Sequence, residues 1–195
     1  MELIFDIFIY VIIVILIGVC GAWIFLIKSM MDSFRLTPYL DKFENKSEST
    51  PKVSIILPAR NEENFIGNCL DSLIKQDYQN YEIIVIDDSS DDSTWKIISE
   101  YAKMNSKIVP VSAKPKPDGW VGKNWACMEG YHKAAGELLL FTDADTNHSK
   151  NVISLAVAHL NSFDLDALSA IPKMLTLDFW TSVTLPMIST FLHTR

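Results

Sequence analysis

Leu138-Leu139-Leu140-Phe141-Thr142-Asp143-Ala144-Asp145-Thr146 is the stretch that decides how this chain is read. Its four consecutive apolar residues predict a strand buried on both faces, as in the middle of a parallel sheet. The strand carries two carboxylates, separated by Ala144, to its C-terminal end, where ligands sit in an open α/β sheet. Strand side chains alternate with period two, so Asp143 and Asp145 would point the same way if the extended conformation continued. Neighbouring anions repel unless a cation or a hydrogen-bond network holds them. A hard divalent cation with oxygen ligands meets that need. The competing reading is a plain turn, since Asp and Thr are common turn residues.

The same pattern recurs upstream. Val53-Ser54-Ile55-Ile56-Leu57 reads as a short strand stopped by Pro58, followed by Ala59-Arg60-Asn61-Glu62. Ile66, Cys69, Leu70, Leu73 and Ile74 then fall at helical spacing, with a helix expected to about Gln76. Tyr81 to Ile86 is a second buried strand, again ending in paired carboxylates, Asp87 and Asp88. Ser89 to Asp92 supply N-cap chemistry for a helix through Trp95, Ile98, Tyr101 and Ala102. Ile108 to Val111 is a weaker strand. A loop rich in Pro, Gly and Lys follows, from Lys114 to Lys123, and then a helix from about Asn124 to Ala135, with Gly136 as its C-terminal stop. Beyond the opening stretch, Val152, Leu155, Ala156, His159 and Leu160 mark an amphipathic helix, and Ala167 to Ile171 reads as a further strand. The alternation predicts an α/β fold, a mostly parallel, Rossmann-like sheet flanked by helices on both faces.

Composition narrows the setting. The chain has 195 residues, 49% hydrophobic, with a mean hydropathy of +0.16. Ile7 to Ile27 contains no charged residue, enough for one transmembrane helix. Glu2 and Asp6 precede it, whereas a cleavable signal peptide wants a basic start. Lys28 and Arg35 follow it, which by the positive-inside rule predicts a single-pass cell-membrane protein with everything downstream in the cytoplasm. All 17 basic residues lie from Lys28 onward, against 22 acidic ones (24 less Glu2 and Asp6). No long basic run occurs, so nucleic acid is not an expected partner. Three cysteines, one of them Cys20 in the apolar run, make neither a disulfide framework nor a zinc site. Cys69 and Cys127 fall on helix patterns and read as small core residues.

Three strand ends and the lysine-bearing loop converge at one sheet edge. Carboxylates are pure acceptors and suit the N–H edge of a base and the hydroxyls of a ribose. Lysines and a metal suit a diphosphate, and Gly119 and Gly122 would let the loop approach closely. No Gly-x-x-x-x-Gly-Lys-Ser/Thr or Gly-x-Gly-x-x-Gly motif is present. A nucleotide site here is therefore built from side chains and metal. Lys114 and Lys116 read as solubilising loop residues. Trp120 and Trp125 are either core or face a sugar or lipid. His148 is either an added metal ligand or a solvated loop histidine.

Over about Lys52 to Met174 these motifs resemble the family 2 glycosyltransferases of the GT-A fold. Val53 to Glu63 is similar to the family's first strand and donor loop, and Val85 to Thr94 to its second acidic motif. Gly136 to Asp145 is similar to its metal-binding signature. Gly119-Trp120-Val121-Gly122-Lys123-Asn124-Trp125-Ala126 resembles the lipid-glycosylating branch, which includes ceramide, hopanoid and carotenoid glycosyltransferases; Ala170 to Met174 is compatible with it. The resemblance implies a UDP- or GDP-sugar donor, a lipid or isoprenoid acceptor, inversion, and Mg²⁺ or Mn²⁺ as cofactor. It implies that Pro58, Ala59, Arg60, Glu62, Asp87, Asp88, Lys123 and Asp143 bind the donor, with Glu62 and Asp88 on the nucleoside and Lys123 near the diphosphate or base. Asp145, with Asp143, would hold the metal.

Duller roles stand beside these: a helix N-terminus for Glu62 and a structural position for Asp87. The family's later catalytic base and Arg-Trp motif have no counterpart here, so the expectation is a donor-binding half, cut short or completed by a partner chain. The alternative function is a non-catalytic nucleotide-sugar-binding subunit. The expected division is an anchor over 1–28, a linker over 29–51, the donor domain over 52–174, and a segment over 175–195 that is interfacial or packs on other structure.

Overall fold

The computed structural model describes residues 2–36, 50–170 and 178–181. The chain divides into two units, and the α/β unit falls within Leu40–Pro172. The other unit contains α1, Glu2–Leu36, which continues past the expected end of the anchor. Within it, Ile4–Ser29 is long and apolar enough to cross a membrane by length and composition. Most of the expected linker and of the segment over 175–195 lies outside the described residues.

The α/β unit contains, in order, β1 (Val53–Ala59), α2 (Ile66–Ile74), β2 (Tyr81–Asp87), α3 (Thr94–Met104), β3 (Ile108–Ser112), α4 (Gly122–Tyr131), β4 (Leu138–Phe141) and α5 (Val152–Phe163). The four strands form one sheet in the order β3-β2-β1-β4, and every pairing is parallel. Ile55, Leu57, Ile83 and Val85 pack with Ile66, Leu70 and Leu73 of α2, Ile98 of α3 and Ile153 and Val157 of α5. The opposite face holds Ile56, Ile84 and Ile86 against Ala126 of α4. Gly130 permits that approach, because a Cβ there would lie 2.6 Å from Ile86 Cδ1.

The strand that opened the reading is not buried on both faces. Among the described residues β4 lies at the edge of the sheet, and Leu139 and Phe141 are 38% and 52% exposed. Their register partners are Ser54 and Ile56, on the face that α4 covers mainly over β1 and β2. No strand forms over Ala167 to Ala170; Ile171, the last residue of that expected strand, lies outside the described residues. α5 is capped by Asp164, a left-handed residue whose N–H donates to Leu160 O, and residues 165–170 beyond it are mostly exposed. Helix α4 stops at Tyr131 rather than near Ala135. Gly136 is accordingly not its stop: a Cβ there would meet Ser54 N at 2.6 Å and Lys52 O at 2.7 Å. It is the point where β4 enters against β1.

A carboxylate fastens the same end of the sheet. Glu82 accepts from Lys52 Nζ at 2.7 Å, Ser54 Oγ at 2.6 Å and the Ala135 N–H at 2.9 Å. Burial alone would raise its carboxyl, but the Lys52 ammonium, the Ser54 hydroxyl and the Ala135 N–H outweigh it and hold the group below the usual carboxylate range. A depressed folded pKa gives stability that is present above the unfolded value, about 4.3, and lost as pH falls through the folded value. Glu82→Gln is therefore expected to flatten the acid side of the pH–stability curve, as read by thermal melts from pH 3 to pH 6. An unchanged curve would refute this.

Candidate functional site

β1, β2 and β4 run parallel, so their C-terminal ends lie at one edge. The sequence turns each end outward there. Asn61 and Ser89 stand two residues beyond the register pair Ala59 and Asp87, and both adopt left-handed backbone, at φ 56° and 57°. Asn is among the few residues that tolerate this.

The two loops are then zipped together. Asp88 N–H donates to Ala59 O, Asn61 N–H to Ser90 Oγ, and Asp91 N–H to Asn61 Oδ1. Glu62 N–H donates to Thr94 Oγ1, Glu63 N–H to Asp92 Oδ2, and Ser93 N–H to Glu63 Oε2. These bonds satisfy the backbone of a segment that would otherwise compete with water. Asn61, Ser90 and Thr94 thus position the site, a role the sequence reading did not assign. The residue types favoured in turns and caps were its only signal.

On this platform Asp88 is well enclosed, with its side chain 14% exposed and Arg60 Nη1 at 3.8 Å. Helix α4 begins beside it, and a Cβ on Gly122 would meet Asp88 Oδ2 at 3.0 Å. Asp87 turns the other way. It is 5% exposed, its Oδ2 accepts from Ser90 N–H at 3.3 Å, and its Oδ1 has no partner among the described residues. Pro58 is half-buried and Ala59 buried in β1, so they contribute backbone position.

The β4 end lies beside Glu62. Asp143 and Asp145 are exposed and flank Ala144, which is 4% exposed and packs into the core. The strand itself stops at Phe141, so a turn rather than continued strand makes the two carboxylates alternate with the buried alanine. Burial raises the Glu62 carboxyl, and repulsion from Asp145, Asp92 and Asp143 raises it further, with Lys123 opposing. The edge thus concentrates negative charge. Lys123 Nζ lies 2.7 Å from Asp143 Oδ1, and that hydrogen bond raises the lysine's pKa.

Among the described residues no three His, Cys, Asp or Glu side chains gather closely enough to enclose an ion. The open set of hard oxygens suits a cation that keeps water and substrate oxygens in its shell, as Mg²⁺ does. It does not suit a closed protein cage.

The lysine-bearing loop is braced from within. Gly119 takes φ 84°, Trp120 and Trp125 pack edge to face at 5.4 Å, and Trp125 Nε1 donates to Lys114 O at 2.8 Å. Cys69 is buried, which pushes its thiol up to about 11 and leaves no reactive thiolate. His148 is not a solvated loop residue: its Nε2 lies 3.0 Å from both Thr142 Oγ1 and Thr146 Oγ1.

Comparison with known proteins follows the same residues. The model of glycosyl transferase family 2 matches residues 54–179. A 4,4'-diaponeurosporenoate glycosyltransferase of Staphylococcus haemolyticus is 38% identical over 109 residues, covering 55% of this chain and 28% of that protein. The chain thus spans less than a third of that relative's length. The mannosyltransferase PcManGT of Pyrobaculum calidifontis, in complex with GDP-Man and Mn²⁺, superposes with a TM-score of 0.58 at 23% identity, covering 74% of this chain and 42% of that one. It shares the fold. Staphylococcus aureus TarS in complex with UDP superposes with a TM-score of 0.50 at 26% identity, covering 63% of this chain and 38% of that chain.

Proposed function

The chain belongs to glycosyl transferase family 2, and from that premise we propose that it binds a nucleotide-sugar donor with a divalent cation and passes the sugar, with inversion, to a lipid or isoprenoid acceptor. The observation that carries the proposal is the gathering of Glu62, Asp88, Lys123, Asp143 and Asp145 at one sheet edge, where burial and then repulsion from the neighbouring carboxylates raise the Glu62 carboxyl. Such an edge favours a ligand that brings positive charge with it.

In this reading Glu62 and Asp88 accept from the nucleoside, and Arg60 and the first turn of α4 hold Asp88 in place. Asp143 and Asp145 hold the cation, Mg²⁺ or Mn²⁺. When bound, that cation stabilises the charge that develops on the departing nucleoside diphosphate. Lys123 adds a second positive charge. Its bond to Asp143 is exposed at both ends, 59% and 55%, and such pairs hold only about 0–1 kcal/mol. The ammonium can therefore exchange Asp143 for a phosphate oxygen at little cost. Preorganised charge of this kind is worth about 10² to 10³ in rate for each interaction. UDP bound to the similar TarS supports a nucleoside diphosphate as leaving group. The carotenoid-type relative supports an isoprenoid acceptor, and an α1 able to span a bilayer would hold the site near it, on the cytoplasmic side.

The test is transfer. Full-length chain in membranes is expected to move radiolabel from a UDP- or GDP-sugar into the lipid fraction, and EDTA to stop it. Donor binding without transfer would sink the enzymatic part of the proposal and leave a binding subunit completed by another chain.

A further inference from the structure

The turn bearing Asp143 and Asp145 is tied by a triangle of polar atoms that the donor site does not itself use. Thr142 Oγ1, Thr146 Oγ1 and His148 Nε2 stand 3.0 Å from one another on all three sides. Thr146 Oγ1 is also 2.6 Å from Asp143 O, an acceptor only, so the Thr146 proton is committed there. The three sides of the triangle must then share the protons of Thr142 and His148.

If Nε2 were bare, Thr142 would supply the one proton for three short contacts. If Nε2 carries hydrogen, Thr142 donates to Thr146 and the imidazole donates to the two hydroxyl oxygens. Proton counting therefore places a hydrogen on Nε2. Burial, which lowers the His148 pKa, favours the neutral form of that ring.

Helix α2 and Gln76, just beyond its end, anchor the same turn. His148 N–H donates to Ser72 Oγ at 3.1 Å, Cys69 Sγ reaches Asp143 O at 3.7 Å, and Gln76 Nε2 donates to Ser149 O at 2.8 Å. The Asp143 carbonyl thus receives the Thr146 hydroxyl, the Thr146 N–H and the Cys69 thiol.

We propose that His148, donating from Nε2 to Thr142 and Thr146, is a positioning residue that fixes the Asp143–Asp145 turn for cation binding. The inference rests on the reading of those carboxylates as cation ligands. An open site with few protein ligands depends on how rigidly they are held, and residues that orient metal ligands typically contribute 10- to 100-fold in affinity.

The test compares wild type, His148→Gln, His148→Met and Asp145→Ala as full-length chains in detergent. Mn²⁺ binding is followed by electron paramagnetic resonance, with UDP and GDP added in turn, and folding by thermal melts. Gln places an N–H near the Nε2 position, whereas Met fills the volume without a donor. His148→Met is expected to weaken Mn²⁺ binding by about 10- to 100-fold and broaden the bound Mn²⁺ signal, while His148→Gln stays within about threefold of wild type. Wild-type Mn²⁺ affinity in His148→Met, or equal weakening in both His148 variants, would overturn the inference while Asp145→Ala still lost binding. Wild type binding Mn²⁺ no better than Asp145→Ala would overturn the cation reading and this inference together.

Discussion

Asp145→Ala is expected to lower Mn²⁺-dependent nucleotide affinity by more than about 100-fold while leaving the melting temperature of the ligand-free chain within about 2 °C of wild type. Asp145 is exposed, and surface substitutions usually stay within about 0.5 kcal/mol. A charge-assisted contact is worth about 1.5–3 kcal/mol, a factor of about 10 to 150, and with a single carboxylate left the cation loses its chelating partner as well. Thermal shift gives the same answer from the other side. A ligand at 100 times its Kd stabilises the wild type by about 2.7 kcal/mol, and the variant should show almost none of that at equal concentration. Unchanged UDP–Mn²⁺ and GDP–Mn²⁺ affinity by isothermal titration would show that the cation lies elsewhere.

Gly136→Ala is expected to destabilise the α/β unit strongly for the addition of a single methyl group. The new Cβ would lie 2.6 Å from Ser54 N, 2.7 Å from Lys52 O and 2.8 Å from Ser54 Oγ. Two of these are backbone atoms of β1 and its lead-in, which cannot swing aside as a flexible side chain does. The same glycine donates its N–H to Ser54 Oγ at 2.8 Å, beside the Glu82 network. Relief requires β4 to move off β1, and overpacking of this kind costs about 1–3 kcal/mol, a fall of about 4–12 °C in Tm for a unit this size. Because β4 leads into the turn that bears Asp143 and Asp145, donor affinity should fall with it. A melting temperature within 1 °C of wild type would show that the strand entry is looser than these contacts imply.

These two residues also mark what the sequence could and could not reveal. β1 and β2 were legible because central parallel strands are covered on both faces and read as continuous apolar runs. The run at Leu138 has the same appearance, yet among the described residues β4 lies at the sheet edge, with Leu139 and Phe141 exposed. Sheet position depends on which distant strands pair, and a local pattern does not contain that. Gly136 suited a helix stop by residue type, but α4 ends at Tyr131 and the glycine serves a close approach between strands, a property of the partner backbone.

The carboxylate-bearing strand ends were legible because parallel topology brings those ends together. What escaped was the scaffolding around them. Asn61 and Ser89 at left-handed φ, the bonds between the two loops, and the triangle about His148 all depend on atoms more than two dozen residues apart or on a turn whose path the sequence does not fix. The alternation of Asp143 and Asp145 about Ala144 was anticipated from strand geometry and arises from a turn.

The central claim is that this sheet edge binds a nucleoside diphosphate through a cation. Isothermal titration of the full-length chain with UDP and with GDP, each with Mn²⁺ and each with EDTA, tests it most directly. One of the two nucleotides is expected to bind with Mn²⁺ and to lose at least about 100-fold in affinity with EDTA. Binding of equal strength in EDTA, or no binding of either nucleotide with Mn²⁺ present, would contradict the account.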